Sequence, residues 1–294
     1  MSRRTAVAAR LHGLGQVREI LSAMKNISLM EIRELSALLS HQRDAMQTIE
    51  MAAADFLMFH TPPLPVPIMK ICVAVGTERG FCGDFNETLV APALALRERG
   101  EQLLVVGGKL GDHLEAQALA ILDGASIARE LAGVLEGVAT RLEREQVANV
   151  DAPLQVRVLY HDPDAGAQVE RVILPLPLPQ TKPPPHAFPP RLNLPPVQFM
   201  VKLAEQAMLM SLQEVFASSL LAENRRRLEH MDNALRRLDR ITEDLSRKLN
   251  AYRQEDITME IETIMLSAQA IGTAESGGAP VTADPDRPAE ESPA

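Results

Sequence analysis

The sequence predicts an α/β fold carried on a long antiparallel coiled coil, with N- and C-terminal helices wound together and a Rossmann-like α/β domain inserted between them. Three observations predict it. Both ends of the 294-residue chain hold long proline-free stretches with apolar residues three and four apart. The middle alternates short apolar runs with helix-like segments. Proline clusters stand at both changes of texture.

The elements follow in order. Residues 5–59 lack proline, and Leu11, Leu14, Val17, Leu21, Met24 and Ile27, then Leu35, Leu38, Met46, Ile49, Ala53 and Phe56, mark one helical face. Gly13 and Gly15 weaken the first turns by about 1 kcal/mol each. Thr61 to Pro67 ends the helix, so residues 1–60 form the first arm. Residues 68–174 form the α/β domain. Met69 to Gly76 and Gln102 to Gly107 read as buried strands closing on glycine. Thr77 to Gly83 is a loop, Asp84 to Arg99 a helix capped by Asp84, and further helices run from Asp112 and over Ser126 to Val147. Leu154 to Tyr160 and Gln168 to Leu174 form a hairpin around His161 to Gly166. Strand–helix alternation implies a largely parallel sheet.

Residues 175–196 hold ten of the 21 prolines and read as a stiff connector. Residues 197–270 contain none, and a helix that long would reach roughly 110 Å. Leu228, Met231, Leu235, Leu238, Ile241, Leu245, Leu249 and Tyr252, continued by Ile257, Ile261, Ile264 and Ala268, form a narrow stripe like a coiled-coil seam. The simplest partner for each terminal stripe is the other. Residues 271–294, rich in Gly, Ala, Pro and acid, read as a disordered acidic tail.

Composition excludes several functions. With 30 basic and 39 acidic side chains the net charge is −9, which argues against coating nucleic acid. Aromatics are 3% with no Trp, so base-stacking platforms are missing. Cys72 and Cys82 are too few for a disulfide framework or a zinc cluster. No signal-peptide core or membrane-length apolar run occurs, and the chain reads as intracellular and water-soluble.

Local motifs are weak. Gly76 to Asp84 sits where a strand meets a helix, a place that can cradle phosphate, but it departs from G-x-G-x-x-G, and Glu78 and Asp84 would repel an anion. A tight turn explains its glycines better. Gly107-Gly108-Lys109-Leu110 lacks the P-loop's first glycine and its Ser or Thr. His161, Asp162 and Asp164 suit a turn better than a metal site, so neither a metal nor a cofactor is expected. Arg225 to Arg253 carries nine bases against five acids. It is either a solvated face with pairs such as Asp232–Arg236 or a cationic surface for acidic partner loops.

Three blocks together resemble the gamma subunit of F-type ATP synthases. Ala23-Met24-Lys25 within REILSAMKNIS resembles the N-terminal helix signature. Arg79-Gly80-Phe81-Cys82-Gly83-Asp84-Phe85-Asn86 resembles the family's RGLCGGFN, with Asp84 in place of its second glycine. Glu223, Arg227, Met231 and Ala234, followed by Asn250, Arg253, Gln254, Ile257, Thr258 and Glu260, resemble the C-terminal helix with its YNxxRQxxITxE, although Leu249 stands where Tyr is common. Departures such as Glu19 and Ser22 before Ala23 point to a divergent branch, such as the alternate bacterial ATPase type.

The resemblance implies a non-catalytic rotor shaft. It implies as partners the hexamer of alpha and beta subunits, the epsilon subunit and the ring of membrane c subunits. It places the chain at the cytoplasmic face of the bacterial inner membrane, as a peripheral component. It also implies coupling contacts through Met24, Lys25, Arg253, Gln254, Thr258 and Glu260, with Met24 and Lys25 facing Arg253 to Glu260 or a beta-subunit lever. Gly80, Cys82, Gly83, Phe85 and Asn86 then form a structural loop. The competing expectation is an α/β nucleotide-binding enzyme with a dimerising coiled coil, which needs a working phosphate loop.

Overall fold

A computed structural model describes residues 3–60, 69–149, 153–175 and 188–275. The expected proline break at 61–67, most of the connector and the tail beyond 275 lie outside them. In chain order the elements are α1 (Arg3–Phe59), β1 (Met69–Val75), α2 (Glu87–Glu98), β2 (Gln102–Val106), α3 (Gly108–Leu114), β3 (Ala118–Leu122), a 3-10 turn (Ala128–Glu130), α4 (Leu131–Ala148), β4 (Leu154–Asp162), β5 (Ala167–Leu174) and α5 (Pro196–Glu275). The chain divides into two compact units, residues 18–236 and residues 1–17 with 237–294.

The larger unit is built on a five-stranded sheet of order β3-β2-β1-β4-β5. All neighbours are parallel except the β4–β5 hairpin. Period-two alternation gives the sheet two buried faces. Ile71, Val73 and Val75 of β1 join Leu104, Val156 and Val158 on one face, covered by α4 (Leu131, Val138, Leu142), α1 (Leu35, Leu39) and α5 (Leu212, Val215, Phe216, Leu220). Cys72 and Ala74 join Leu103, Val105 and Leu159 on the other, covered by α2 (Leu89, Ala93, Leu96) and α3 (Leu110, Leu114). Burial on both faces is why these strands read as unbroken apolar runs.

Within this unit α1 and α5 run antiparallel. Lys25 pairs with Asp232 at 2.6 Å, and the Phe56 and Phe199 rings pack tilted at 40° with centroids 4.9 Å apart. Asp232 therefore serves Lys25, and Arg236 donates to Asn233 instead, which corrects the expected Asp232–Arg236 pair.

The smaller unit is a thin seam. Leu238 and Leu245 are its only buried side chains among the described residues, and Arg4 meets Asp256 at 3.4 Å across it. Ile257, Ile261 and Ile264, expected in the same seam, are 52–66% exposed. Nothing among the described residues covers them.

Other expectations need adjusting. Asp84 caps no helix: α2 starts at Glu87 behind Asn86. α3 begins at Gly108, four residues before Asp112. The sequence pattern marks no strand between that helix and Ser126. Ala118–Leu122 instead pairs in parallel with β2, because the β2 edge offers a full row of backbone partners. α5 passes through Gly272 to Glu275, beyond the expected start of the tail, and opens on Pro196, whose missing N–H costs nothing in a first turn.

Candidate functional site

The loop leaving β1 is fixed by its own polar groups. Asn86 Oδ1 accepts from the Thr77 backbone N–H (3.0 Å), and Asn86 Nδ2 donates to Thr77 Oγ1 (2.9 Å). This two-way pairing closes the loop at its neck and diverts Asn86 from capping α2. Cys82 is buried beneath it with Sγ 3.6 Å from Thr77 Oγ1. Gly83 has φ +66°, a left-handed conformation that suits glycine, and Gly80 supplies a carbonyl to α5. Phe81 takes a similar conformation (φ 70°) and projects to solvent. Phe85 is buried against His161, ring centroids 4.0 Å apart. His161 Nε2 reaches the Phe85 carbonyl (2.9 Å) and Thr88 Oγ1 (3.0 Å). Burial lowers the His161 pKa, so the neutral ring is preferred.

The loop is clamped to α5 by a buried ion pair. Arg227 pairs with Glu223, donates to Asn224 Oδ1 (3.3 Å) and reaches the Gly80 carbonyl (3.5 Å). Glu223 and Arg227 are 2% and 6% exposed. Burial raises the Glu223 pKa against the opposing pull of Arg227. Arg226 stands 4.0 Å from Asp84 at the surface. The loop thus meets Glu223 and Arg227 of the C-terminal signature, through the Gly80 carbonyl, which their separation in sequence conceals.

The shaft residues are laid out differently. Met24 and Lys25 are half-buried, and Lys25 finds Asp232, a helix position 21 residues before Arg253. Arg253, Gln254, Thr258 and Glu260 are exposed, and Thr258 Oγ1 donates to the Gln254 carbonyl one turn back. These four present a polar row to solvent rather than a pocket.

The side chains and amides at the glycine loops and the hairpin turn are engaged within the chain. Glu78 Oε2 accepts from the backbone N–H of Gly108 at the start of α3 (2.9 Å) and of Gly124 after β3 (2.8 Å). Those amides lie at the C-terminal ends of β2 and β3, and the chain's own carboxylate holds them. Lys109 is spent on Asp112 at 3.0 Å. Burial pushes the Cys72 thiol up to about 12 and raises Cys82 as well, so neither is a nucleophile at neutral pH. Asp162 Oδ1 accepts from the Asp164 N–H in the hairpin turn, and Asp164 pairs with Arg43. Neither Glu78 nor His161 was singled out for these roles, because their partners lie 30 to 76 residues away in sequence.

A family model described as ATP synthase matches residues 4–271. The ATP synthase gamma chain of Granulibacter bethesdensis is 24% identical over 300 residues, covering 90% of this chain and 98% of its own. A chain from the Euglena gracilis mitochondrial ATP synthase structure (OSCP/F1/c-ring) superposes with a TM-score of 0.59 at 16% identity, covering 96% of this chain and 98% of that one. One from the central stalk and c-ring of the Tetrahymena thermophila mitochondrial enzyme superposes with a TM-score of 0.52 at 16% identity, covering 73% and 99%. Among the described residues no helix is long and apolar enough to cross a membrane. With its sheet, its two long helices and a family match that runs almost end to end, the chain belongs to the ATP synthase family, as a gamma chain.

Proposed function

We propose that this gamma chain is the non-catalytic rotor shaft of its ATP synthase. Its two long helices wind as an antiparallel coiled coil inside the hexamer of alpha and beta subunits. Its α/β domain meets the epsilon subunit and the ring of c subunits at the cytoplasmic face of the bacterial inner membrane. The observation that carries this reading is the family match over residues 4–271, which takes in both helices and the sheet. An off-axis shaft makes unequal contacts with each beta subunit in turn, and unequal contact is what shifts a conformational equilibrium. Arg253 and Gln254, exposed on α5, hydrogen-bond beta-subunit loops in this reading, with Thr258 and Glu260 beside them. Met24 and Lys25 set the packing of α1 against α5 through the Lys25–Asp232 pair.

Co-expression with the alpha and beta subunits of the same genome tests the reading. A complex with one copy of the chain per hexamer and ATPase activity is expected. A folded chain that ignores both subunits overturns it. Within the complex, Arg253→Ala or Gln254→Ala should lower coupled ATP synthesis by roughly tenfold, the equivalent of about 1.4 kcal/mol of lost contact, without changing the melting temperature of the free chain. Wild-type synthesis rates in both variants would remove the contact assignment.

A further inference from the structure

Where β5 ends, an apolar groove of about 410 Å³ opens between α4 and the first turns of α5. Leu142 of α4, Leu154 of β4, Leu174 of β5, and Val201, Ala204 and Met208 of α5 line it. Its polar members are Glu143, Gln146 and Glu205. Both acids are exposed, and Glu205 holds Lys202 at 2.7 Å. An apolar concavity gathered from four elements is a binding surface, unlike a single exposed apolar side chain.

The course of the chain points to the occupant. Pro175 itself lines the groove. Residues 176–187 follow it, outside the described residues, and read Leu-Pro-Leu-Pro-Gln-Thr-Lys-Pro-Pro-Pro-His-Ala. A chain advances at most about 3.6 Å per residue, so Leu176 and Leu178 stand within roughly 11 Å of Pro175. The segment must then rejoin α5, which supplies Val201, Ala204 and Met208 to the same groove. Its prolines leave it few conformations to lose on docking. It carries Lys182 and His186 and no acid, so Glu143 and Glu205 do not repel it. Being tethered, it meets the groove at a higher effective concentration than a separate molecule does. The other proline-rich stretch, 61–68, joins His60 to Met69, and neither of these lines the groove.

We propose that this groove is the seat of the chain's own proline-rich connector. Leu176 and Leu178 fill it, and Lys182 lies toward Glu143. Docked in this way, the connector ties α4 and the ends of β4 and β5 to the first turns of α5, and so fixes the start of that long helix on the α/β domain.

The sequence contains no Trp, so a single Leu178→Trp in the full-length chain reports on this segment alone. Its emission should be blue-shifted from that of the denatured chain and resist quenching by acrylamide. Leu176→Trp is a second reporter with the same expectation. Val201→Asp, at a half-exposed position on α5, should remove both the shift and the protection while circular dichroism stays unchanged. Solvent-like emission from both reporters in the free chain overturns the proposal; if the shift then appears only on assembly with other subunits, the groove belongs to a partner. A blue shift that Val201→Asp leaves in place also overturns it, by seating the connector elsewhere. A shift that vanishes on dilution overturns it in favour of a second copy. Loss of the shift in a Leu64→Trp reporter on Val201→Asp, with the two connector reporters indifferent, overturns it in favour of residues 61–68. The free chain suffices for the test, so its outcome is separate from that of the co-expression.

Discussion

Two stretches of the same helix, α5, have similar residues and opposite surroundings. From Ser211 to Asn224 every side chain but Gln213 and Glu214 is buried, with Leu212, Val215 and Ala217 fully so. From Ile257 to Ala268 every side chain is exposed, including Ile264 at 66% and Leu266 at 66%. The first stretch has a sheet to lie on. The second has only its own seam, and its apolar surface is left over. An apolar stripe at helical spacing therefore says that burial is needed, not who provides it. Where the chain fails to provide it, a large exposed apolar patch marks an interaction surface.

Mutations can sharpen or break this contrast. The largest effect should come from Phe216→Ala, beneath the sheet, at about 3–5 kcal/mol in chemical denaturation of the free chain. Arg227→Ala should cost about 3 kcal/mol at pH 7, since it strands Glu223 at 2% exposure. Its sign with pH is specific. The folded Glu223 pKa is raised to about 7 and rises further without Arg227, so the buried acid costs stability as pH climbs from the ordinary carboxyl value toward the folded one, and in the variant that loss continues to higher pH. The penalty of Arg227→Ala should thus grow as pH rises from 7 to 9, above the wild-type folded value of about 7; a penalty constant over that range would mean that Arg227 does not hold the Glu223 charge.

His161 works in the other direction and more weakly. Its folded pKa is lowered, so the wild type loses stability as pH falls below the ordinary value of 6.5. His161→Asn should flatten that slope in melting temperatures taken from pH 7 to pH 5, and an unaltered slope would assign it to other groups. The smallest change is expected from Ile264→Ala, within about 0.5 kcal/mol for the free chain. A loss comparable with that of Phe216→Ala would erase the contrast between the two stretches.

Legibility in the sequence followed the range of the interaction. α1 and α5 were readable because a proline-free, three-and-four-spaced stripe is a local signal, and β1 and β2 because strands buried on both faces are apolar throughout. β3 was not, since Ala-Leu-Ala-Ile-Leu follows a helix without a break and is built from good helix formers; only the free edge of β2 makes it a strand. Asp84 was a reasonable cap by type, but the neck between Thr77 and Asn86 sets the turn three residues later. The loop residues Gly80 to Asn86 could be singled out by resemblance. Their anchoring by Arg227, more than 140 residues on, could not. Glu78 was counted against an anion site for the right charge and without its actual post on the Gly108 and Gly124 amides.

That post ties two strand ends together. Amides at the ends of neighbouring parallel strands can take a mobile anion only where nothing in the chain already holds them. Here the occupant is covalently part of the chain, so the effective concentration is constant and saturation is permanent. The ends of β2 and β3 are therefore fixed to each other by the chain's own carboxylate, and that corner of the domain keeps its shape whatever solutes surround it.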